Sequence, residues 1–234
     1  MKTNSSARAI AVSLVLSLMA SASAAAEDRY FLAGGELARQ ADYSYVGLVL
    51  PGPMREGGRG FMQRYWLDRF GYEYDGAPGR VKARAHGAEA ALGYGASSAA
   101  GWWSVYLGLR YTDTTLTPDD PSAKARGSQT GLKLQGEADQ QIASAWRAGA
   151  IVSYVSKQDA YWSRLRLMHS TTSATAWGVE AIAAGNSESR WRAAGLVLSL
   201  QPAKDWSVAL KTGYRAQSGE GDGAYGGVEL GLAF

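Results

Sequence analysis

Few side chains in this sequence are of types that perform catalysis or bind metals. The 234 residues include no cysteine and only two histidines, His86 and His169. Ser170 follows His169, and a histidine base beside a serine nucleophile is the pair that acyl hydrolases use. Adjacent residues of a strand point to opposite faces, so this pair lacks the required geometry. Neither histidine has ligating neighbours at a useful spacing, and we therefore predict no metal site, no cofactor and no enzyme activity.

Two acidic segments have a composition found in calcium sites, but turns explain both better. Asp119 and Asp120 lie between two prolines, where adjacent carboxylates commonly cap a rigid turn. The segment 219–223 alternates glycine with acidic residues and has the composition of a hairpin tip. These segments predict loops.

The end of the chain carries the most informative pattern. Val228, Leu230, Leu232 and Phe234 fall on one face of an extended strand, and small residues with Glu229 fall on the other. An apolar outer face, a small or polar inner face and a terminal aromatic residue are typical of the closing strand of a transmembrane β-barrel. The segment also resembles the terminal signal that the outer-membrane assembly machinery reads in bacterial barrels.

The same pattern recurs along the whole chain, with turn residues roughly every 17 positions. We predict an all-β fold, a single antiparallel transmembrane β-barrel of about 12 strands with both termini in the periplasm. A soluble β-sandwich is the alternative that alternation alone leaves open. In the fourth strand the pattern changes face near Ala88, which predicts a β-bulge. The predicted strands span residues 29–38, 43–51, 60–74, 79–95, 101–115, 126–138, 144–156, 160–169, 174–184, 190–201, 205–216 and 223–234.

Aromatic residues mark both ends of these strands, as they do where barrels meet the lipid headgroups. The predicted membrane girdle at the periplasmic end comprises Phe31, Phe61, Trp102 or Trp103, Trp146, Trp177, Trp206 and Phe234. The predicted second belt comprises Tyr43, Tyr74, Tyr111, Tyr154, Tyr161, Trp191 and Tyr214. The two belts favour a location in the bacterial outer membrane, in contact with its lipid.

The faces predicted to point inward are rich in charge, and His86 is predicted to lie among them. We predict that the charges pair into a network that fills and stiffens the lumen, with a wet polar conduit as the alternative. Inward glycines indicate either room for a passage or relief of strand curvature. The predicted inward charges are Glu36, Arg64, Asp68, Arg84, Arg110, Lys133, Glu137, Arg147, Arg164, Arg166, Glu180, Lys211 and Glu229. The predicted lumen residues for binding a polymer are Tyr45, Trp66, Tyr106, Arg110, Arg147, Trp162, Arg164 and Arg166.

The N-terminus has the pattern of a cleaved export signal. Two basic residues precede or begin an apolar stretch at 9–20 that is too short to cross a bilayer, and Ala22-Ser23-Ala24 offers a cleavage site. We predict a leader at 1–26 and one barrel domain at 27–234. Loss of the two basic residues lowers the formal charge from +3 to +1, which gives no argument for nucleic acid as a partner.

Several motifs resemble one known family. The segment 116–121 (LTPDDP) with Arg126-Gly127, the segment 131–136 (GLKLQG), the segment 161–166 (YWSRLR) and the glycine-rich segment 221–226 are similar to the BcsS-type cellulose biosynthesis proteins. The resemblance extends over most of the chain after the leader. It implies an outer-membrane accessory protein of cellulose or exopolysaccharide biosynthesis, secretion or surface attachment.

The resemblance also implies partners, but it transfers no catalytic residue. The implied partners are cellulose or another glucan, periplasmic export components and, during biogenesis, the barrel-assembly machinery. Two alternatives from other classes remain open: a lipid-modifying acyl hydrolase of the outer membrane that uses His169, and a general small-solute porin.

Overall fold

The described part of the protein consists of twelve β-strands and one short 3₁₀ turn at Lys157–Asp159. The computed structural model describes residues 29–52, 58–217 and 222–234; the predicted leader and most of the 219–223 tip lie outside these ranges. The strands are β1 (Tyr30–Ala38), β2 (Ala41–Pro51), β3 (Arg59–Gly76), β4 (Gly79–Ser98), β5 (Gly101–Thr117), β6 (Gly127–Ala143), β7 (Trp146–Val155), β8 (Ala160–Ser170), β9 (Thr175–Gly185), β10 (Arg190–Ala203), β11 (Trp206–Gln217) and β12 (Gly223–Ala233). No helix within the described residues is long and apolar enough to span a bilayer.

The strands close into a single antiparallel barrel. Each strand pairs with its neighbours in sequence, and β1 pairs with β12 in unbroken register from Tyr30–Ala233 to Ala38–Tyr225. Closure leaves no sheet edge in the region that all twelve strands share, so the backbone groups there are paired inside the sheet. The predicted all-β barrel of 12 strands is confirmed, and the soluble sandwich is excluded.

The two ends of the barrel differ. The end that carries Arg29 and Phe234, here called the proximal end, has short connections between the strands where the structure describes them. At the opposite, distal end, β3 to β6 form long hairpins, and the β5–β6 connection spans residues 118–126. This asymmetry is typical of outer-membrane barrels, which have short turns at one end and longer loops at the other.

The outer face of the barrel is a continuous apolar belt. Leu67, Leu92, Leu107 and Leu196 are each about 60–70 % exposed, as are many other valine and leucine side chains at alternate positions. A soluble protein would not expose so large an apolar surface to water, whereas a barrel in a bilayer must present one to lipid.

Where the long hairpins extend beyond the apolar belt, the arrangement of apolar and polar side chains on the two faces of the sheet is reversed. The register row Val46–Leu67–Ala88–Tyr111 forms the distal edge of the belt, and the next row outward carries Arg69, His86 and Asp113. Beyond that edge the polar side chains lie outside and the apolar ones lie inside. The inner residues Val81, Ala83 and Leu116 form a buried cluster there.

This reversal corrects three predictions about β4. The strand keeps one alternation throughout and pairs with β3 and β5 without a register shift, so the bulge predicted near Ala88 is wrong. Arg84 and His86 are exposed on the outer face, and their predicted lumen positions are also wrong. The register shifts that do occur in β6 and β10 lie at the proximal ends of those strands.

Candidate functional site

The lumen wall is built from aromatic rings that lie against glycines of the next strand. A Cβ on Gly34 would lie 2.7 Å from the Tyr45 ring, and Gly47 leaves room for Trp66 in the same way. Gly93 accommodates Tyr106, which is 3 % exposed. These three inward glycines therefore receive aromatic rings, a use that neither sequence interpretation included.

One ion-pair network connects β3, β4, β5 and β6 and is here called the β3–β6 network. Arg64 contacts Glu89 at 3.1 Å and reaches Glu137 at 2.9 Å, and Lys133 also binds Glu89. Arg110 pairs with Asp68 at 2.8 Å. The Arg64 guanidinium also lies 4.2 Å from the centroid of the Trp66 ring, which in turn stacks on Tyr45. Aromatic and ionic contacts thus form one connected layer.

A second network, here called the β8–β12 network, centres on Glu229. Arg164 and Arg166 of β8 reach it at 2.9 and 2.8 Å, and Lys211 of β11 reaches it at 3.3 Å. Arg166 also pairs with Glu180, which accepts a hydrogen bond from the Tyr225 hydroxyl at 2.9 Å. Because β8 and β12 are four strands apart, these contacts cross the lumen rather than follow the wall.

The two networks are balanced in charge. Lys211 additionally pairs with Glu36 at 2.7 Å. The β3–β6 network therefore joins three cations to three carboxylates, and the β8–β12 network does the same. Glu89 and Glu180 are 5 % and 2 % exposed, and charges buried to this extent are tolerated only when they are paired.

The predicted lumen residues lie on the inner face, where most contact other protein groups. Tyr45, Trp66, Tyr106, Arg110, Arg164 and Arg166 join the networks and rings described above. Arg147 pairs with Asp139, and the Arg164 guanidinium lies 5.6 Å from the Trp162 ring centroid.

Three inner residues of importance were missed by the sequence analysis. They are Glu89, Asp139 and Tyr225. Glu89 was not predicted to face inward, because the change of face predicted near Ala88 hid its position in the alternating pattern. Tyr225 could have been found, since it lies at an even spacing from Glu229 in the closing strand.

The predicted girdle residues occupy the outer face at the proximal end. Phe61, Trp103, Trp177 and Trp206 are 45–49 % exposed. Phe31 lies between inward-facing residues of β1 and therefore points outward, and Trp146 and Phe234 are partly exposed. Of the two candidates in β5, Trp103 is the girdle residue, because Trp102 lies on the inner face. In the second belt, Tyr111, Tyr154, Tyr161 and Tyr214 are exposed outside. Tyr43, Tyr74 and Trp191 belong to the inner face, because strand alternation places them there.

His169 belongs to this girdle. Its ring lies between those of Trp146 and Trp177, with centroids 4.8 and 5.8 Å apart, and its Nδ1 atom accepts no hydrogen bond from a hydroxyl. A base that activates a serine must be hydrogen-bonded to it or poised to become so, and His169 instead packs against two indoles. Within the described ranges, no group of three or more His, Asp and Glu side chains is placed to hold a metal ion.

The distal mouth is crossed by residues 118–126, here called the strap. The Tyr74 hydroxyl of β3 donates to Asp120 at 3.1 Å. At the other end the Lys124 and Ala125 amides donate to the Glu188 carboxylate of the β9–β10 loop, at 2.7 and 3.2 Å. The strap is therefore fixed at both ends by strands on different sides of the barrel.

The two strap carboxylates are held ionised. Hydrogen bonds from Arg126 lower the pKa of Asp119, and hydrogen bonds from the Ser122 and Tyr74 hydroxyls lower the pKa of Asp120. Asp120 is 3 % exposed, and its carboxylate occupies the space that a side chain at Gly76 would need.

A closed twelve-stranded barrel with an apolar exterior, aromatic rims and a charged interior is an outer-membrane β-barrel. Solved structures share this fold. An outer membrane channel from Pseudomonas putida F1 matches with a TM-score of 0.59 at 9 % identity, covering 91 % of this chain and 97 % of the channel. The β domain of the Bordetella autotransporter BrkA matches with a TM-score of 0.54 at 13 % identity, covering 90 % and 100 %. The KdgM porin in complex with disordered oligogalacturonate matches with a TM-score of 0.52 at 10 % identity, covering 88 % and 99 %.

The sequence also matches a family model. The model of the family described as cellulose biosynthesis protein BcsS matches residues 30–234, nearly all of the described chain. The chain belongs to this family, and its role lies in cellulose biosynthesis. A comparison with curated proteins finds no match.

Proposed function

We propose that this barrel is an accessory protein of cellulose secretion or surface attachment whose resting lumen is closed. The observation that carries the proposal is the pair of charge-balanced networks across the lumen. Arg64 spans from β3 to Glu137 of β6, and Arg164 and Arg166 span from β8 to Glu229 of β12. Opening a passage would separate these pairs and leave buried charges without partners, which costs several kcal/mol for each ion.

The proposed orientation places both termini in the periplasm and the distal end outside the cell. Its support is the even strand number and the length of the distal hairpins, since the long loops of such barrels face outward. The leader at 1–26 would direct export, and the mature barrel would begin near residue 27. In this orientation the strap and the distal mouth face the secreted polymer, and the short turns face periplasmic export components.

The test is the fate of cellulose in cells that lack this chain. In a deletion strain of the bacterium that encodes it, we expect total cellulose to change less than the fraction retained at the cell surface. Calcofluor staining of washed cells and acid hydrolysis of pelleted and released polymer measure the two quantities. Complementation with the full chain should restore retention, and a version without residues 1–26 should not. Unchanged amount and retention of cellulose in the deletion strain would refute the proposal.

A second candidate function is a conduit for an uncharged glucan. It is favoured by the equal numbers of cations and carboxylates in the two networks, because such a wall neither attracts nor repels a neutral polymer. In that case Tyr45, Trp66, Tyr106 and Trp162 would supply stacking platforms once the ion pairs had parted. Steady conductance of the purified barrel would favour this candidate over the closed barrel.

A further inference from the structure

An aromatic ladder lines the inner wall at the distal mouth. Phe70, Tyr72 and Tyr74 are alternate residues of β3, so their rings share one face. The ring centroids are 6.3 Å apart between Phe70 and Tyr72, and 6.0 Å apart between Tyr72 and Tyr74. The corresponding planes differ by 12° and 30°. The ladder begins one inward position beyond Asp68 and thus lies between the ionic layer and the mouth.

The strap lies next to this ladder. Ala123 packs against the cluster of Val81, Ala83 and Leu116, and Tyr72 and Tyr74 pack against the same cluster. The strap and the ladder also share a direct polar contact, the hydrogen bond from Tyr74 to Asp120. A short segment of the same chain therefore packs beside these rings at the mouth.

The Lys124–Ala125 end of the strap is held by a latch of side-chain hydrogen bonds, of which Glu188 accepts two and Gln129 and Gln158 donate one each. The Glu188 carboxylate accepts from two consecutive strap amides, and the Gln158 amide group donates to the Lys124 carbonyl at 3.3 Å. Glu188 lies in an exposed loop, so its removal should loosen this end of the strap without disturbing the barrel wall. Loops of this kind, held by a few polar contacts, open at low energetic cost relative to strands.

We propose that the ladder is a binding site for a β-glucan chain and that the strap covers it until the polymer displaces the strap. The identity of the polymer rests on the proposed function. The flat C–H faces of pyranose rings stack on aromatic rings, and tyrosine hydroxyls can hydrogen-bond sugar hydroxyls. The strap must leave before the glucan can bind. The apparent affinity for the glucan is therefore the intrinsic affinity multiplied by the fraction of molecules in which the strap is open.

The absence of cysteine from the sequence permits a direct assay of the strap. Ala83→Cys places a thiol in the buried cluster under the strap, and Arg84→Cys places one on the exposed outer face as the matched control. A membrane-impermeant maleimide should label the first slowly and the second quickly. Adding Glu188→Ala should accelerate labelling at position 83 by at least about tenfold and leave position 84 unchanged.

Binding is measured by calorimetry with cellohexaose as the probe. Glu188→Ala should tighten binding by at least about tenfold, because the competing strap is released. Tyr72→Ala in the same background should abolish binding, Tyr72→Phe should retain it, and Tyr214→Ala on the outer face should leave it unchanged. Heat-modifiable migration on gels verifies that each variant is folded.

Two outcomes would overturn the proposal. Labelling at position 83 that Glu188→Ala does not accelerate would show that the strap is not a cover. Absence of cellohexaose binding to folded Glu188→Ala, or binding that survives Tyr72→Ala, would show that the ladder is not the site. Both assays use purified protein, so either failure is distinct from normal cellulose retention in the deletion strain, which would instead refute the proposed function.

Discussion

Individual residues of the inner wall are matched in shape as well as in charge. Trp66 lies against Gly47 on one side of the wall, and it carries Tyr45 and the Arg64 guanidinium on its ring faces. The sequence indicated that glycine and aromatic residues share the inner face. It did not indicate which ring meets which glycine, because that depends on how adjacent strands are staggered.

Gly47→Ala should destabilise the barrel by about 1–3 kcal/mol, because the new methyl group would collide with the Trp66 ring in a filled wall. Gly35→Ala is the matched control, since its methyl group would face outward and meet only the Tyr43 carbonyl at 3.5 Å. Urea unfolding from detergent micelles measures both. Equal stability of the two variants would contradict the packing described for Trp66.

Glu180→Ala should destabilise the barrel by about 3–5 kcal/mol, because it leaves the β8–β12 network with three cations for two carboxylates and the Tyr225 hydroxyl without the carboxylate to which it donates. Glu73→Ala removes a carboxylate from an ion pair at the distal surface and should change stability little. Thermal melts of the two variants give the comparison. A Glu180→Ala barrel as stable as the wild type would mean that water already solvates this part of the lumen.

At the scale of elements, β4 explains where prediction from sequence succeeds and fails. After Ala88 its apolar residues face outward, as in a membrane strand. From Val81 to Ala85 its apolar residues face inward, as in a soluble barrel. The sequence records only the change of polarity, which resembles a change of face. The physical cause is that the strand leaves the lipid, so the same inner face becomes the apolar one.

The strap could be predicted only as a turn. Its two prolines and two aspartates identify a rigid connection, but its docking depends on Glu188, more than 60 residues later in the chain. Contacts between loops of different hairpins have no periodic signature in the sequence. The strand positions, by contrast, follow from local alternation and were predicted well.

Docking of the strap should weaken in acid. The pKa of Asp120 is lower in the docked strap than in a free chain, so its ionisation stabilises docking above about pH 4. That contribution is lost as the pH falls through the docked pKa, and Asp119 acts in the same direction. Hydrogen exchange of segment 116–126, corrected for the intrinsic rate, should therefore show less protection at pH 3 than at pH 6. Asp120→Asn should reduce this difference, and equal protection at both pH values would contradict the role of the carboxylates.

At the scale of the molecule, the belt, the rims and the closing strand act together in assembly. Phe234 ends the chain in the proximal girdle, and its amide pairs with the Arg29 carbonyl at 2.9 Å, next to the β1–β12 seam. Deletion of Phe234 should therefore lower the amount of folded barrel in outer-membrane fractions, seen as loss of the heat-modifiable band. Deletion of an exposed residue of the β8–β9 turn, such as Ser173, is the control. Normal assembly without Phe234 would contradict its role at the seam.

The closed lumen is the central claim, and it rests on two networks in which three cations meet three carboxylates. The charge balance also explains how the two networks can be rich in arginine without a net charge.

Planar-bilayer recording of the purified, folded protein tests this claim most directly. Gel migration before and after heating verifies that the sample is folded, and a porin of known conductance verifies that the bilayer accepts barrels. The wild type should insert without stepwise conductance, whereas Glu229→Ala, which removes the carboxylate that Arg164, Arg166 and Lys211 share, should produce unstable openings or a less stable barrel. Steady, ohmic conductance steps from the wild type would contradict the closed lumen.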